Sequence, residues 1–341
     1  MRRLVAKSSC VQKVLRKTKV RNLRTNNQTG SPHSFYRRIV EGGFQEGRVC
    51  IVRSVGGIGD VLMITPAIRQ LRKDFPKLDI TFAVDRHCTG VQDTYWSLVN
   101  NLDFIDHVID ARFVKQEAYN VVTDISAVCI RYERRGLPPI NRIDLFAKSM
   151  GIPRVVDKLP AYQVEVEEVL WAKKLLQDFK AQGKYLIGLN IASFDPKRSW
   201  SAVQAADLIT TASKNNPNIH FLIFDFNRAL ALKKLNSNCT DFSTTTVREM
   251  AALIQQCDLF IGPDSGPMHI AACVKTRTLA LFGCIPPEAR INYYPTHTAL
   301  VANIPCLGCW YIKCNVKLKC MKDLTASMVY NKVLDYAQEG F

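Results

Sequence analysis

From Arg48 onward, short apolar runs alternate with segments whose apolar residues recur at helical spacing. VCIVRSV reads as a buried strand. The helix opening at Asp60 carries Ile64, Ile68, Leu71 and Phe75 on one face, with Pro66 expected to kink it or to end an irregular first turn. LDITFAVD, FIDHVID and YNVVTDIS supply further strands, and NRIDLFAKSMG a helix ending at Gly151. KLPAYQVEVEEVL reads as a crossover, followed by the helix EEVLWAKKLLQDFKAQGK with Gly183 as its stop. A second series then begins. KYLIGLNIAS, NIHFLIFDF, a short stretch near CTDFS, DLFIGP and TRTLALFG are strands. SAVQAADLITTASKNN, TTTVREMAALIQQC and DLTASMVYNKVLDYAQ are the helical segments among them. This alternation predicts an α/β chain with a parallel sheet in each half. The expected division is a flexible basic leader over 1–47, a first domain over 48–160, a second over 161–322 and a terminal helix over 323–341. Within the leader, only SFYRRIVEGGF has helical character.

Each half holds one glycine-rich turn from strand to helix with an acidic residue at the helix start. In the first, VCIVRSVGGIGD, the loop Gly57-Ile58-Gly59 would face an acceptor or its phosphate. Gly57-x-Gly59 after a strand also resembles the start of a dinucleotide fingerprint, with Asp85 closing the next strand. Leu62 occupies the third glycine position, however, and Asp60 would repel a pyrophosphate there. Asp60 suits a general base whose charge the helix dipole stabilises, or a plain first-turn carboxylate. In the second, DLFIGPDSGPMH, Ser265 is the expected N-cap, Gly266 permits close backbone approach and Pro267 fits the first helical position. The amides around Gly266 and Met268 would then meet a phosphate, His269 a phosphate oxygen or ribose, and Asp264 would orient an amide or hydroxyl. A well-capped turn without a ligand reads the same way. Lys197 and Arg198, in the loop SFDPKRSW after a strand, are placed to clamp a diphosphate or simply to be solvated.

Charge and cysteines refine this picture. Of the net charge of +16, residues 1–48 carry +10, so the basicity belongs to the leader, which favours anionic partners such as a membrane surface or nucleic acid, or none. No apolar run reaches the ~20 residues of a membrane span. The first residues also lack the apolar core of a secretory signal, so a cytoplasmic chain is expected. Twelve cysteines are many for such a chain. Cys306, Cys309, Cys314 and Cys320 cluster within fifteen residues, compatible with structural zinc, with an iron–sulfur site or disulfides, or with free thiols.

Taken together, GGIGDVLMITPAIRQLRKDFPKLDITFAVD, the PKRSW loop and CDLFIGPDSGPMHIAACVKTRTLALFG resemble the heptosyltransferases of glycosyltransferase family 9, from about Arg48 to the C-terminus. The resemblance implies a GT-B fold, two Rossmann-like domains facing a central cleft. It implies metal-independent, inverting transfer of a sugar from a nucleotide-diphosphate donor, typically ADP-heptose, to a hydroxyl of a lipopolysaccharide-type acceptor. It assigns Asp60 as base, and Lys197 with Asp264, Ser265, Gly266 and His269 to the donor. The leader is an addition to the family pattern. The glutamate that meets the nucleotide ribose in the family has no counterpart in FDFNRALAL, where only Asp225 is near.

Overall fold

A computed structural model of the chain describes residues 34–85, 94–133, 138–225, 238–310 and 314–338. Two parallel sheets organise it. In the first, β1 (Arg48–Arg53), β2 (Asp79–Val84), β3 (His107–Asp110) and β4 (Val121–Asp124) lie in the order β3-β2-β1-β4. Val49 stands opposite Ile80 on one side and Val121 on the other. The second sheet uses β5 (Tyr185–Leu189), β6 (Ile219–Ile223), β7 (Cys239–Asp241), β8 (Leu259–Pro263), β9 (Thr278–Phe282) and β10 (His297–Val301). Its order, β7-β6-β5-β8-β9-β10, is that of a dinucleotide-binding sheet. The strand order reverses between β1 and β4 and between β5 and β8, so in each sheet the binding crevice lies beyond the carboxyl ends of those pairs. β5, β6, β8 and β9 are buried along their whole length, which is why they appear in the sequence as unbroken apolar runs.

Two expectations change. The helix Ile58–Asp74 continues unbroken past Pro66, so the proline does not end its first turn. Proline leaves the carbonyl four residues back without its usual amide. The Thr65 hydroxyl donates to that Leu62 carbonyl at 2.7 Å, and the same oxygen accepts from the Ala161 amide at 2.7 Å, so the helix needs no break. The leader is also shorter than expected. Ser34–Glu41 is a helix whose Phe35 and Ile39, four residues apart, are buried in the first domain's core. Its Tyr36 amide donates to the Met150 carbonyl at 3.0 Å. Residues 1–33 of the expected leader lie outside the described residues.

The two halves share one apolar core, running from Phe35 and Ile39 through the Ile58–Asp74 helix to Met268, Ile270 and Phe282. The helices Ile58–Asp74 and Gly266–Cys273 lie against each other across the domain boundary. Polar ties flank them: Asn141 Nδ2 donates to the Glu288 carbonyl at 3.0 Å, and the Tyr293 hydroxyl to Asp144 at 2.6 Å. The terminal helix Ala326–Gln338 packs on Ala202–Asn215 with Leu324, Val329 and Val333 in the second domain's core. Among the described residues, no helix is long and apolar enough to cross a membrane.

Candidate active site at the domain seam

The two glycine-rich turns meet face to face. The Gly59 backbone abuts the His269 ring, and the Gly266 backbone abuts Ile58. Each helix therefore begins against the glycine of the other domain, and side chains near both N-termini enter one site.

The first domain fixes Asp60 with arginines. Arg53, at the end of β1, donates through Nη1 to the carbonyls of Ile125 (2.9 Å) and Ser126 (2.7 Å) beyond β4, and through Nη2 to Asp60 Oδ2 at 3.0 Å. Arg142 donates to Asp60 Oδ1 at 2.5 Å and to Glu133 Oε1 at 2.5 Å. Burial alone would raise the Asp60 carboxyl. The charges of Arg142, Arg53 and Arg290, with the Gly57 amide, outweigh it and hold the group well below the usual carboxylate range.

The second domain repeats the device around Asp264. Asn190, beyond β5, donates to Ser265 Oγ at 3.0 Å, and Ser193 Oγ donates to the Asp264 carbonyl at 3.0 Å, tying the ends of β5 and β8 together. Asp264 pairs with Arg198 at 2.9 Å and Arg290 at 3.3 Å. Burial again opposes ionisation, but Arg198, Arg290 and His269 keep the carboxylate charged. Arg290 also approaches Glu133 at 3.9 Å across the boundary. A continuous strip thus runs Arg53–Asp60–Arg142–Glu133–Arg290–Asp264–Arg198, with one more cation than anions and residues from both domains.

Two donor-side expectations are redrawn. Ser265 stands at the N-cap position, but its hydroxyl donates to the Pro263 carbonyl at 3.1 Å and makes no cap bond, so it does not occupy the helix amides. His269 is buried in the seam. Burial lowers its ring below the ordinary value, while burial pushes the Tyr294 phenol well up. The neutral ring therefore accepts from the protonated Tyr294 hydroxyl through Nδ1 at 2.7 Å, and turns Nε2–H toward Asp264 Oδ1 at 3.6 Å. One nitrogen faces Tyr294 and the other Asp264, where the sequence placed the ring on phosphate or ribose. Pro267 and Met268 are buried as well. Lys197 lies in the turn Pro196–Arg198, its amide bonded to Asp195 at 3.1 Å and its ammonium 3.3 Å from the same carboxylate.

The cysteine-rich segment reaches the same sheet end. The Gly308 amide donates to the Gly283 carbonyl at 2.9 Å and the Trp310 amide to the Cys284 carbonyl at 2.8 Å, just beyond β9. Burial is the main cause that pushes up the Cys320 thiol. Among the described residues, no three or more His, Cys, Asp or Glu side chains are arranged to hold a metal ion. The nucleotide region is described as far as Asp225, which is buried.

Arg53, Glu133, Arg142, Asn190 and Arg290 complete the site although the sequence did not single them out. Arg53 had a signal, a charge closing a buried apolar run; Arg290 had none.

The comparisons with known proteins agree with this layout. Residues 130–319 match the model of glycosyltransferase family 9 (heptosyltransferase). Lipooligosaccharide heptosyltransferase 2 of Campylobacter jejuni is 32% identical over 164 residues, 44% of this chain and 51% of that protein. The chain spans about half the length of the curated relatives it matches. A family 9 glycosyltransferase from Veillonella parvula superposes with a TM-score of 0.65 at 16% identity, covering 86% of this chain and 98% of the other. The E. coli ADP-heptose lipopolysaccharide heptosyltransferase II does so at 0.62 and 16%, covering 86% and 100%. At such identities the likeness is one of fold, the GT-B pairing of two parallel-sheet domains. With more than half of its length matched by the family model, and with the motifs of both turns in place, the chain belongs to glycosyltransferase family 9.

Proposed function

We propose that the chain transfers a heptose-like sugar from a nucleotide-diphosphate donor, with ADP as the nucleotide, to a hydroxyl of an anionic lipopolysaccharide-type acceptor, with inversion. The observation that carries this reading is the charged strip joining Asp60 to the Gly266 helix across the seam. A base stands on one side of it and a set of cations and amides for a diphosphate on the other. The acceptor oxygen bonds to the anomeric carbon as the bond from that carbon to the diphosphate breaks, and Asp60 takes the hydroxyl proton. Lys197, Arg198 and the Gly266 and Met268 amides take up the charge of the leaving diphosphate, so the step needs no metal. Paired with two guanidiniums, Asp60 is ionised but a weak base. Arg142 is near enough to Arg198 and Arg290 for their charges to interact. A diphosphate arriving there competes for Arg142 and returns proton affinity to Asp60. The cysteine cluster has a structural role in this scheme and takes no part in the chemical step. ADP-heptose and a de-acylated lipopolysaccharide core, with the product anomer read by NMR, test the proposal. Formation of the inverted glycoside supports it; ADP binding without transfer favours a binding module instead; no affinity for ADP removes the reading.

A further inference from the structure

A cavity of about 180 Å³ opens between the domains, lined by Tyr132, Glu133, Arg142 and Leu145 of the first and by Cys309 and Trp310 of the second. It lies below the roughly 300 Å³ at which sites for drug-sized ligands begin, a volume suited to a single sugar ring. Its polar wall is Arg142 and Glu133, and Arg142 is the residue that grips Asp60. Its other wall is Trp310. The Arg290 guanidinium sits over that indole, 5.2 Å from the ring centroid, and the same arginine is bonded to Asp264. The cavity therefore adjoins the Arg142–Glu133–Arg290 stretch of the charged strip, one residue from Asp60, and its indole wall is held by the strip itself.

The backbone at Trp310 is costly. Its φ is +54°, in the left-handed region that a large side chain seldom adopts. The bond from the Trp310 amide to the Cys284 carbonyl holds it there. A residue kept in such a conformation beside a site is a reason to look for function. The ring is only partly buried, so core packing does not account for the strain. An indole offers an apolar face to the C–H face of a pyranose, while Glu133, Arg142 and the Tyr132 hydroxyl can serve its hydroxyls.

We propose that this cavity is the subsite for the acceptor's sugar ring, and that Trp310, delivered by the cysteine-rich segment of the second domain, is the platform on which that ring stacks. The inference rests on the transferase reading and adds that the second domain, which holds the donor, also selects the acceptor. The integrity of the cysteine segment then governs acceptor affinity, while the groups assigned to the diphosphate, Lys197, Arg198 and the Gly266 and Met268 amides, lie outside it.

The test is calorimetry on the full chain with ADP and, separately, a de-acylated lipopolysaccharide core oligosaccharide, for wild type, Trp310→Ala, Trp310→Phe and Trp310→Gly. Trp310→Ala should weaken the oligosaccharide by roughly 10-fold or more, on the scale of an aromatic anchor, and leave ADP unchanged; Trp310→Phe should restore most of the loss. Trp310→Gly relieves the backbone and should keep or raise Tm, yet bind the oligosaccharide as weakly as Trp310→Ala. A merely structural role would link affinity to Tm. Unchanged oligosaccharide affinity in Trp310→Ala, or a loss of ADP affinity instead, overturns this inference and leaves the transferase reading standing. Wild type that binds neither probe overturns both.

Discussion

Gly59 and His269 touch across the domain boundary: a Cβ built on Gly59 would lie 2.3 Å from Cδ2 of the imidazole. The ring cannot retreat, because Tyr294 and Asp264 hold its two nitrogens. The contact is matched by Gly266, whose Cβ would lie 2.9 Å from Cβ of Ile58. Glycine at these positions lets two helix N-termini converge on one site, which explains why both turns need it for reasons beyond phosphate approach.

Gly59→Ala and Gly266→Ala should each cost about 1–3 kcal/mol, as overpacked sites do. Gly57→Ala should be nearly neutral, since its φ of −110° suits any residue and nothing lies within 4 Å of an added Cβ. Urea unfolding of the three variants separates the two effects. Equal stabilities for all three would mean that the turns do not pack in this way.

Asp60→Asn should lower transfer by roughly 10²–10⁴-fold. It should also lower stability, because Arg53 and Arg142 would then face each other without the carboxylate; breaking a buried pair costs about 3–5 kcal/mol. ADP affinity, measured below the variant's melting range, should persist. Transfer at the wild-type rate would take Asp60 out of the reaction.

Much of this was legible in the chain because buried parallel strands are written as continuous apolar runs. β10 was not, since HTALV is only half-buried at a sheet edge and shows no such run. The helix Val128–Glu133 is short and carries Glu133 into the site, with no periodicity to announce it. Asp60 and Asp264 were found because they stand in glycine-rich turns, whose chemistry is local. Arg142 and Arg290 were missed because their roles depend on the approach of two domains. Pro66 misled for a related reason: a threonine one residue earlier repairs the helix, and the repair is visible only once Ala161 is in place.

Acid should weaken the fold before it reaches the carboxylates. Burial lowers His297 and His220 from the ordinary 6.5 to about 4. Between those values the unfolded chain binds protons that the folded chain refuses, so stability falls as pH drops from about 6.5 toward 4. Asp60 and Asp264 are depressed, so the stability they add is present above the unfolded carboxylate value of about 3.9 and is lost only below it. His297 Nε2 donates to the Met268 carbonyl at 3.0 Å, under the donor-side helix. His297→Gln should flatten the slope of stability against pH between 6.5 and 4. An unchanged slope would place the titration elsewhere.

Chelation should separate the cysteine cluster from the chemistry. With lysine, arginine and backbone amides serving the diphosphate, EDTA present only during the assay should leave transfer unchanged. Any metal removed by prolonged chelation from Cys306, Cys309, Cys314 and Cys320 should appear as a lower Tm and, through Trp310, as weaker acceptor binding. A reversible Mg²⁺ or Mn²⁺ requirement for turnover would contradict the proposed mechanism.

The N-terminal segment should divide at Ser34. Residues 1–33 hold nine Lys/Arg and no Asp/Glu. Removing them leaves the helix Ser34–Glu41 and every residue of the seam in place, so Tm and ADP affinity should be unchanged. Salt-sensitive binding to vesicles containing anionic lipid should fall, since each basic residue near such a surface contributes about 1 kcal/mol. Removing residues 1–47 also takes away Phe35 and Ile39, each of whose burial is worth about 1.5–3 kcal/mol, so this longer truncation should melt earlier. Vesicles and duplex DNA, each at two salt concentrations, identify which anionic partner the basic segment meets. Equal binding by full-length and shortened chains on both would show that its charge serves neither, and an unchanged Tm in the longer truncation would mean that the helix contributes nothing to the core it packs against.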